Sequence, residues 1–148
     1  MLIDSHRKQV RNYFWWESDI AEEVELARKE MAAKRHSRNT VGVDDPTGSF
    51  VVRKNMPLKK VTIFVHGRRV VISNPETWLK VIGDTYALYA TQPISQMIRE
   101  RIRTRKSVEV LSGFMGISRE TYFRWENEFI DDAIFMAAKA GLFPEKNF

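Results

Sequence analysis

Two arginines five positions apart, Arg119 and Arg124, stand in the stretch FMGISRETYFRW (114–125) among Ser118, Glu120, Thr121 and Phe123, with Asn127 just beyond. Their chemistry is recognition rather than catalysis. A guanidinium bridges O6 and N7 of guanine, a carboxamide pairs with adenine, a carboxylate accepts from cytosine N4, and an apolar ring meets a thymine methyl. Such groups read only when a helix lays them along a groove, and the residues in front supply one. Gly116 suits the left-handed conformation that ends a helix, Ile117 plugs the corner, and Ser118 caps the next helix. Val108, Leu111 and Met115 predict a short preceding helix with one buried face, and Ser112 is small enough to let a second helix cross closely. This is a helix-turn-helix recipe. In the second helix Tyr122, Trp125 and Phe129 are expected in the core, which leaves Ser118, Arg119, Glu120, Thr121, Phe123, Arg124 and Asn127 nearer solvent, where early residues enter a major groove. Arg103, Arg105 and Lys106 lie just ahead; with the backbone amides at the helix starts they are placed to hold phosphates, which position rather than specify.

Charge follows the same logic. The chain has 148 residues, 24 Lys plus Arg and 19 Asp plus Glu, a net charge of +5. Residues 1–50 carry 8 basic and 9 acidic groups, 51–98 carry 7 and 2, 99–106 carry 5 and 1, and 107–148 carry 4 and 7. Positive charge concentrates in the middle and immediately before the motif, where a phosphate backbone would be met. Glu109, Glu120, Glu126 and Glu128 oppose it unless they pair with arginine or accept from cytosine.

The absence of cysteine removes thiolate ligands, cysteine nucleophiles and disulfide frameworks. His6, His36 and His66 are far apart and open no H-E-x-x-H spacing, so each reads as a surface or turn residue and no metal or other cofactor is expected. The adjacent acids Asp44–Asp45 and Asp131–Asp132 have no histidine or nucleophile pattern beside them, the second pair being expected on a solvated helix face, so an enzyme is not the reading. MLIDSHRKQVRN turns charged before a signal core can form and no apolar run approaches the ~20 residues of a membrane span, so a cytoplasmic protein without a membrane partner is expected.

The elements that must position the motif are mainly α-helical with one small β-hairpin. Val10, Phe14, Ala21, Val24, Ala27 and Met31 predict one long amphipathic helix from about Ser5 to Lys34, supported by Glu25–Lys29 and Glu30–Lys34 pairs. Tyr13, Phe14, Trp15 and Trp16 are consecutive and point four ways; they belong to a core edge or to a partner surface. Asn39–Phe50 reads as a loop; Gly42 and Gly48 enclose five residues with no following Lys, so it is not a phosphate loop. VTIFVHGRRVVI predicts a hairpin over Val61–Ile72 turning at His66–Gly67. Asn74–Pro75 opens a helix to about Ala90 with Trp78, Leu79, Ile82, Tyr86 and Tyr89 on one face. Pro93 begins another that buries Ile94, Met97, Ile98 and Ile102 and projects Arg99, Arg101 and Arg103. The recognition helix itself is expected to run ~23 residues to Gly141, about 35 Å. The expected divisions are 1–38 (amphipathic helix), 39–58 (loop), 59–92 (hairpin and helix) and 93–148 (helix-turn-helix).

NPETWLKVIGDTYALY, the basic helix after it and GISRETYFRWENEFIDDAIFMAAKAGLF resemble small phage transcriptional regulators of the ArpU and RinA type, whose C-terminal part is similar to the DNA-reading region 4 of sigma factors. The VGVDDPTGSF loop and the hairpin extend the likeness over most of the chain, and GISRxTYxRW is its most specific piece. The resemblance implies a regulator of late phage genes, such as a packaging operon, acting on host RNA polymerase, with Ser118, Arg119, Thr121, Tyr122 and Arg124 as recognition positions. The acidic Glu120, Glu126 and Glu128 depart from that pattern and leave affinity to a homo-oligomer. Three functions are compatible with these features: a sequence-specific double-stranded DNA-binding regulator, which they favour, a terminase small subunit recognising packaging DNA within a ring, and a helical adaptor using Trp15, Trp16 and the apolar C-terminal helix.

Overall fold

The computed structural model describes residues 2–40 and 56–143. The Asn39–Phe50 loop reading, with Gly42, Gly48 and Asp44–Asp45, falls outside them apart from Asn39 and Thr40, which end a helix. Among the described residues there are six helices and one two-stranded sheet: α1 (Leu2–Trp15), α2 (Glu17–Thr40), β1 (Lys60–Val65), β2 (Arg68–Ser73), α3 (Pro75–Leu88), α4 (Pro93–Thr104), α5 (Val108–Met115) and α6 (Arg119–Lys139). The chain is therefore mainly helical with a small hairpin. It divides into two compact units, 1–16 with 80–148 and 17–79, so α3 crosses the division.

The expected single N-terminal helix is two. Val10 and Phe14 are buried, and the next position of their stripe falls on Glu17 or Ser18, which are polar. Burial resumes at Ile20 on a rotated stripe, continued by the half-buried Val24, Ala27 and Met31, while Ala21 is exposed. Trp16 is the turn between the two helices, its amide still bonded to the Asn12 carbonyl at 2.9 Å. Of the four consecutive aromatics only Phe14 is buried; Tyr13, Trp15 and Trp16 are half-buried. Glu25 and Lys29 pair at 3.1 Å.

In the 17–79 unit, β1 and β2 pair antiparallel with Val65 opposite Arg68, so His66 and Gly67 form a two-residue turn. Both have positive φ (52° and 78°), the requirement of a type I′ turn, whose twist suits a hairpin. Val61, Ile63 and Ile72 are buried on one face, and β1 lies against α2. Glu76, in the first turn of α3, accepts from Arg28 (2.5 and 3.2 Å) and from the Leu58 amide (2.9 Å). Burial alone raises its pKa, yet these bonds outweigh burial and hold the carboxyl below its ordinary value.

In the other unit Phe129 of α6 is the centre of the core. Its ring lies 5.2 Å from Phe14, 5.5 Å from Tyr86 and 5.1 Å from Tyr89, in edge-on or tilted arrangements that aromatic quadrupoles favour. Ion pairs fix α6 along α1: Arg7 grips Asp131 through two bonds of 2.7 Å. Tyr89 donates to Asp132. Asp131 and Asp132 are thus half-buried partners of the fold rather than a solvated pair. Burial first, then the bond to Asp132, pushes the Tyr89 hydroxyl pKa up. His6 is likewise not a surface residue: it is buried and stacks on Phe143 with centroids 4.2 Å apart.

Candidate nucleic-acid interface

Ser107 caps α5, accepting from the Val110 amide at 3.3 Å. Gly116 then turns left-handed at φ 69°, and the Ile117 amide reaches the Ser112 carbonyl at 3.0 Å. That bond spans six residues and closes a Schellman motif, satisfying a helix-end carbonyl while redirecting the chain. Ser118 caps α6 at once, its hydroxyl accepting from the Thr121 amide at 3.1 Å and lying 2.9 Å from the Thr121 hydroxyl. Val108, Leu111 and Ser112 are buried as the spacing predicts. Met115 is not: it is 48% exposed, because the helix ends at that residue.

The buried stripe of α6 is Tyr122, Glu126, Phe129, Ile130, Ala133, Ile134 and Ala137. Trp125, expected in the core, is half-buried, and Glu126 takes the inward place. A carboxylate survives there because two arginines meet it. Arg11 Nε donates to Oε1 at 2.7 Å and Arg101 Nη1 to Oε2 at 3.0 Å, with the Glu126 side chain 4% exposed. Arg101 accordingly does not project to solvent as expected; its side chain is 24% exposed and also lies 3.4 Å from the Tyr122 hydroxyl. Burial, then the charge of Glu126, raises the pKa of that hydroxyl. Tyr122 has no exposed surface, which removes it from the recognition positions implied by the resemblance. Asn127 also turns from solvent: half-buried, it accepts from Arg11 Nη2 at 3.1 Å.

What remains outward is Ser118, Arg119, Glu120 and Arg124, all exposed, with Thr121 and Phe123 half-buried. Arg119 pairs with Glu109 of α5 at 3.3 Å and lies 5.4 Å from the Phe123 ring. Both partners of that pair are more than half exposed, so it is a weak, salt-screened tether that bridges the two helices across the turn. Arg124 forms no ion pair among the described residues. At the α4–α5 junction Arg105 takes a left-handed conformation (φ 61°), its guanidinium 4.9 Å from the Trp15 ring, and Lys106 lies 5.6 Å from Phe114. Arg103 pairs with Glu100 on its own helix. Residues 103, 105 and 106 are all exposed.

Trp15 therefore carries a role that sequence reasoning left open: its ring also meets Arg101, at 5.4 Å, and it supports both the half-buried Arg101 and the exposed Arg105. Among the described residues no cluster of three His, Asp or Glu could hold a metal ion, and no helix is long and apolar enough to cross a membrane. No family model, curated protein or solved structure matches the chain.

Proposed function

We propose that this chain is a sequence-specific, double-stranded DNA-binding transcription regulator of the phage or prophage late-gene kind that its C-terminal segment resembles. The observation that carries the reading is the capped corner at Gly116–Ser118, which leaves the first turns of α6 outward with Arg119 and Arg124 exposed. In this reading Arg124 and Arg119 read base edges, Thr121 and Phe123 make lesser contacts, and Arg103, Arg105 and Lys106 hold phosphates. Glu109 keeps Arg119 oriented until DNA displaces it. Glu126 belongs to the scaffold, so of the acids expected to oppose DNA it is neutralised by two arginines. Asn127 serves Arg11 rather than adenine.

A small helix-turn-helix makes few contacts by itself, and affinity in the usual range for specific sites calls for a homo-oligomer on paired half-sites. Val110, Phe114 and Met115 expose 45%, 78% and 48% of their surface on α5, which supports a protein contact beside the DNA surface, with a second copy or with host RNA polymerase. A terminase-type ring is distinguished by mass in solution: a closed ring of many subunits favours packaging, and a dimer with promoter footprints favours regulation.

Arg119→Ala is expected to weaken binding to the selected site by ~1–3 kcal/mol and to relax base preference, whereas Arg105→Ala weakens all duplexes alike and lowers the salt slope by about 1. Fluorescence anisotropy across a salt series measures both. Identical, salt-insensitive behaviour of the two variants contradicts the roles assigned.

A further inference from the structure

We infer that the β1–β2 hairpin is a second duplex-contacting element, a two-stranded ribbon that reads a major groove with Arg69, Phe64 and Thr62 while Lys59, Lys60 and Arg68 hold phosphates. The inference rests on the proposed function only in taking double-stranded DNA as the ligand; none of its residues belongs to the helix-turn-helix.

The register sorts the hairpin's side chains into two faces. Val61 opposite Ile72, Ile63 opposite Val70 and, at the turn end, Val65 opposite Arg68 form the packed face, where Val61, Ile63 and Ile72 are buried and Arg68 is exposed. Lys60 opposite Ser73, Thr62 opposite Val71 and Phe64 opposite Arg69 form the other. That second face is open: Phe64 is 69% exposed and Val71 45%, with Lys60, Arg69 and Ser73 exposed as well. The core does not use Phe64, although it is among the largest apolar groups the fold leaves in water.

Charge says what covers it. Residues 56–73 contain Lys59, Lys60, Arg68 and Arg69 and no Asp or Glu; Lys60 and Arg69 lie on the open face, Lys59 and Arg68 stand at the two ends of the ribbon, and none of the four forms an ion pair among the described residues. Cations on a two-stranded sheet also discourage edge-to-edge pairing, but that purpose needs no exposed phenylalanine beside them. A polyanion with apolar contact points satisfies both features. The major groove of B-DNA, about 12 Å wide, admits a two-stranded ribbon, and strands of six residues reach ~20 Å along it. On that face Arg69 has the fork for guanine O6 and N7, Phe64 and Val71 suit thymine methyls, and the Thr62 hydroxyl suits either partner of a base pair.

The test uses the full chain and its best duplex from random-sequence selection, with binding followed by anisotropy over a salt series and helicity and melting checked by circular dichroism. Phe64→Ala/Arg69→Ala is expected to lose roughly ten- to hundredfold in affinity and to relax preference at two or three base pairs. Lys59→Ala/Lys60→Ala/Arg68→Ala should weaken every duplex alike and reduce the salt slope by about 3. Arg69→Lys, which keeps charge and ribbon, should lose the base preference too, so a folding defect in the double variant leaves the inference testable. Folded hairpin variants that bind as wild type while Arg124→Ala binds weakly overturn the inference and leave the helix-turn-helix reading standing. Weak binding by the hairpin variants with normal binding by Arg124→Ala does the reverse. Preference for the single strand of the same sequence overturns groove reading by the ribbon, and no binding of any duplex by wild type at about 50 mM salt overturns both.

Discussion

Phe129→Ala is expected to cost the fold about 3–5 kcal/mol. Phe129 is fully buried, and its ring is where Phe14 of α1, Tyr86 of α3 and Tyr89 meet α6. Truncation removes apolar area and leaves a cavity among three large aromatics that cannot collapse without moving their helices. Domains of this size carry ~5–15 kcal/mol in total, so much of the stability of this unit is at stake. A urea titration followed by circular dichroism measures it. Below its lowered midpoint the variant should bind DNA as wild type does, because no outward group of α6 has changed. A loss under about 1 kcal/mol contradicts the assigned core.

Glu126→Ala is the second. The substitution leaves Arg11 and Arg101 turned toward each other with no anion between them. Breaking a buried pair costs about 3–5 kcal/mol; here ~2–4 is expected, because the two arginine side chains remain 35% and 24% exposed and water screens them. Glu126→Gln keeps the shape and one acceptor and should cost less. An apolar replacement of all three, Arg11→Met with Glu126→Leu and Arg101→Met, should recover much of the loss, since no charge is then stranded. Thermal melts of the single and triple variants read the comparison directly. A single variant as stable as wild type shows that the network does not hold α6 to α1 and α4.

The triad also shows where sequence reasoning stops. An inward stripe on α6 at 122, 126, 129 and 133 is visible as spacing, but an acid at 126 beside a tryptophan at 125 makes the apolar neighbour look like the core residue. The partners that admit Glu126 to the interior, Arg11 and Arg101, lie 115 and 25 positions away, and no local pattern ties them to it. The bond from Arg11 to Asn127 escapes sequence reading for the same reason. Features governed by neighbours along the chain were legible. The Gly116 corner, the Ser118 cap, the His66–Gly67 turn and the start of α4 at Pro93 each follow from backbone preferences of one or two residues. The break at Trp16 lies between these cases, since Glu17 and Ser18 interrupt the stripe in plain view, yet helical propensity continues through them.

Selection of bound fragments from random duplex DNA, repeated with Arg124→Ala, tests whether the outward edge of α6 reads bases. The wild-type chain is expected to enrich one short motif, and the variant to lose the preference at a defined base pair while staying folded. Absence of any enriched or retarded duplex at low salt, or the same motif selected equally well by the variant, contradicts base reading by that edge.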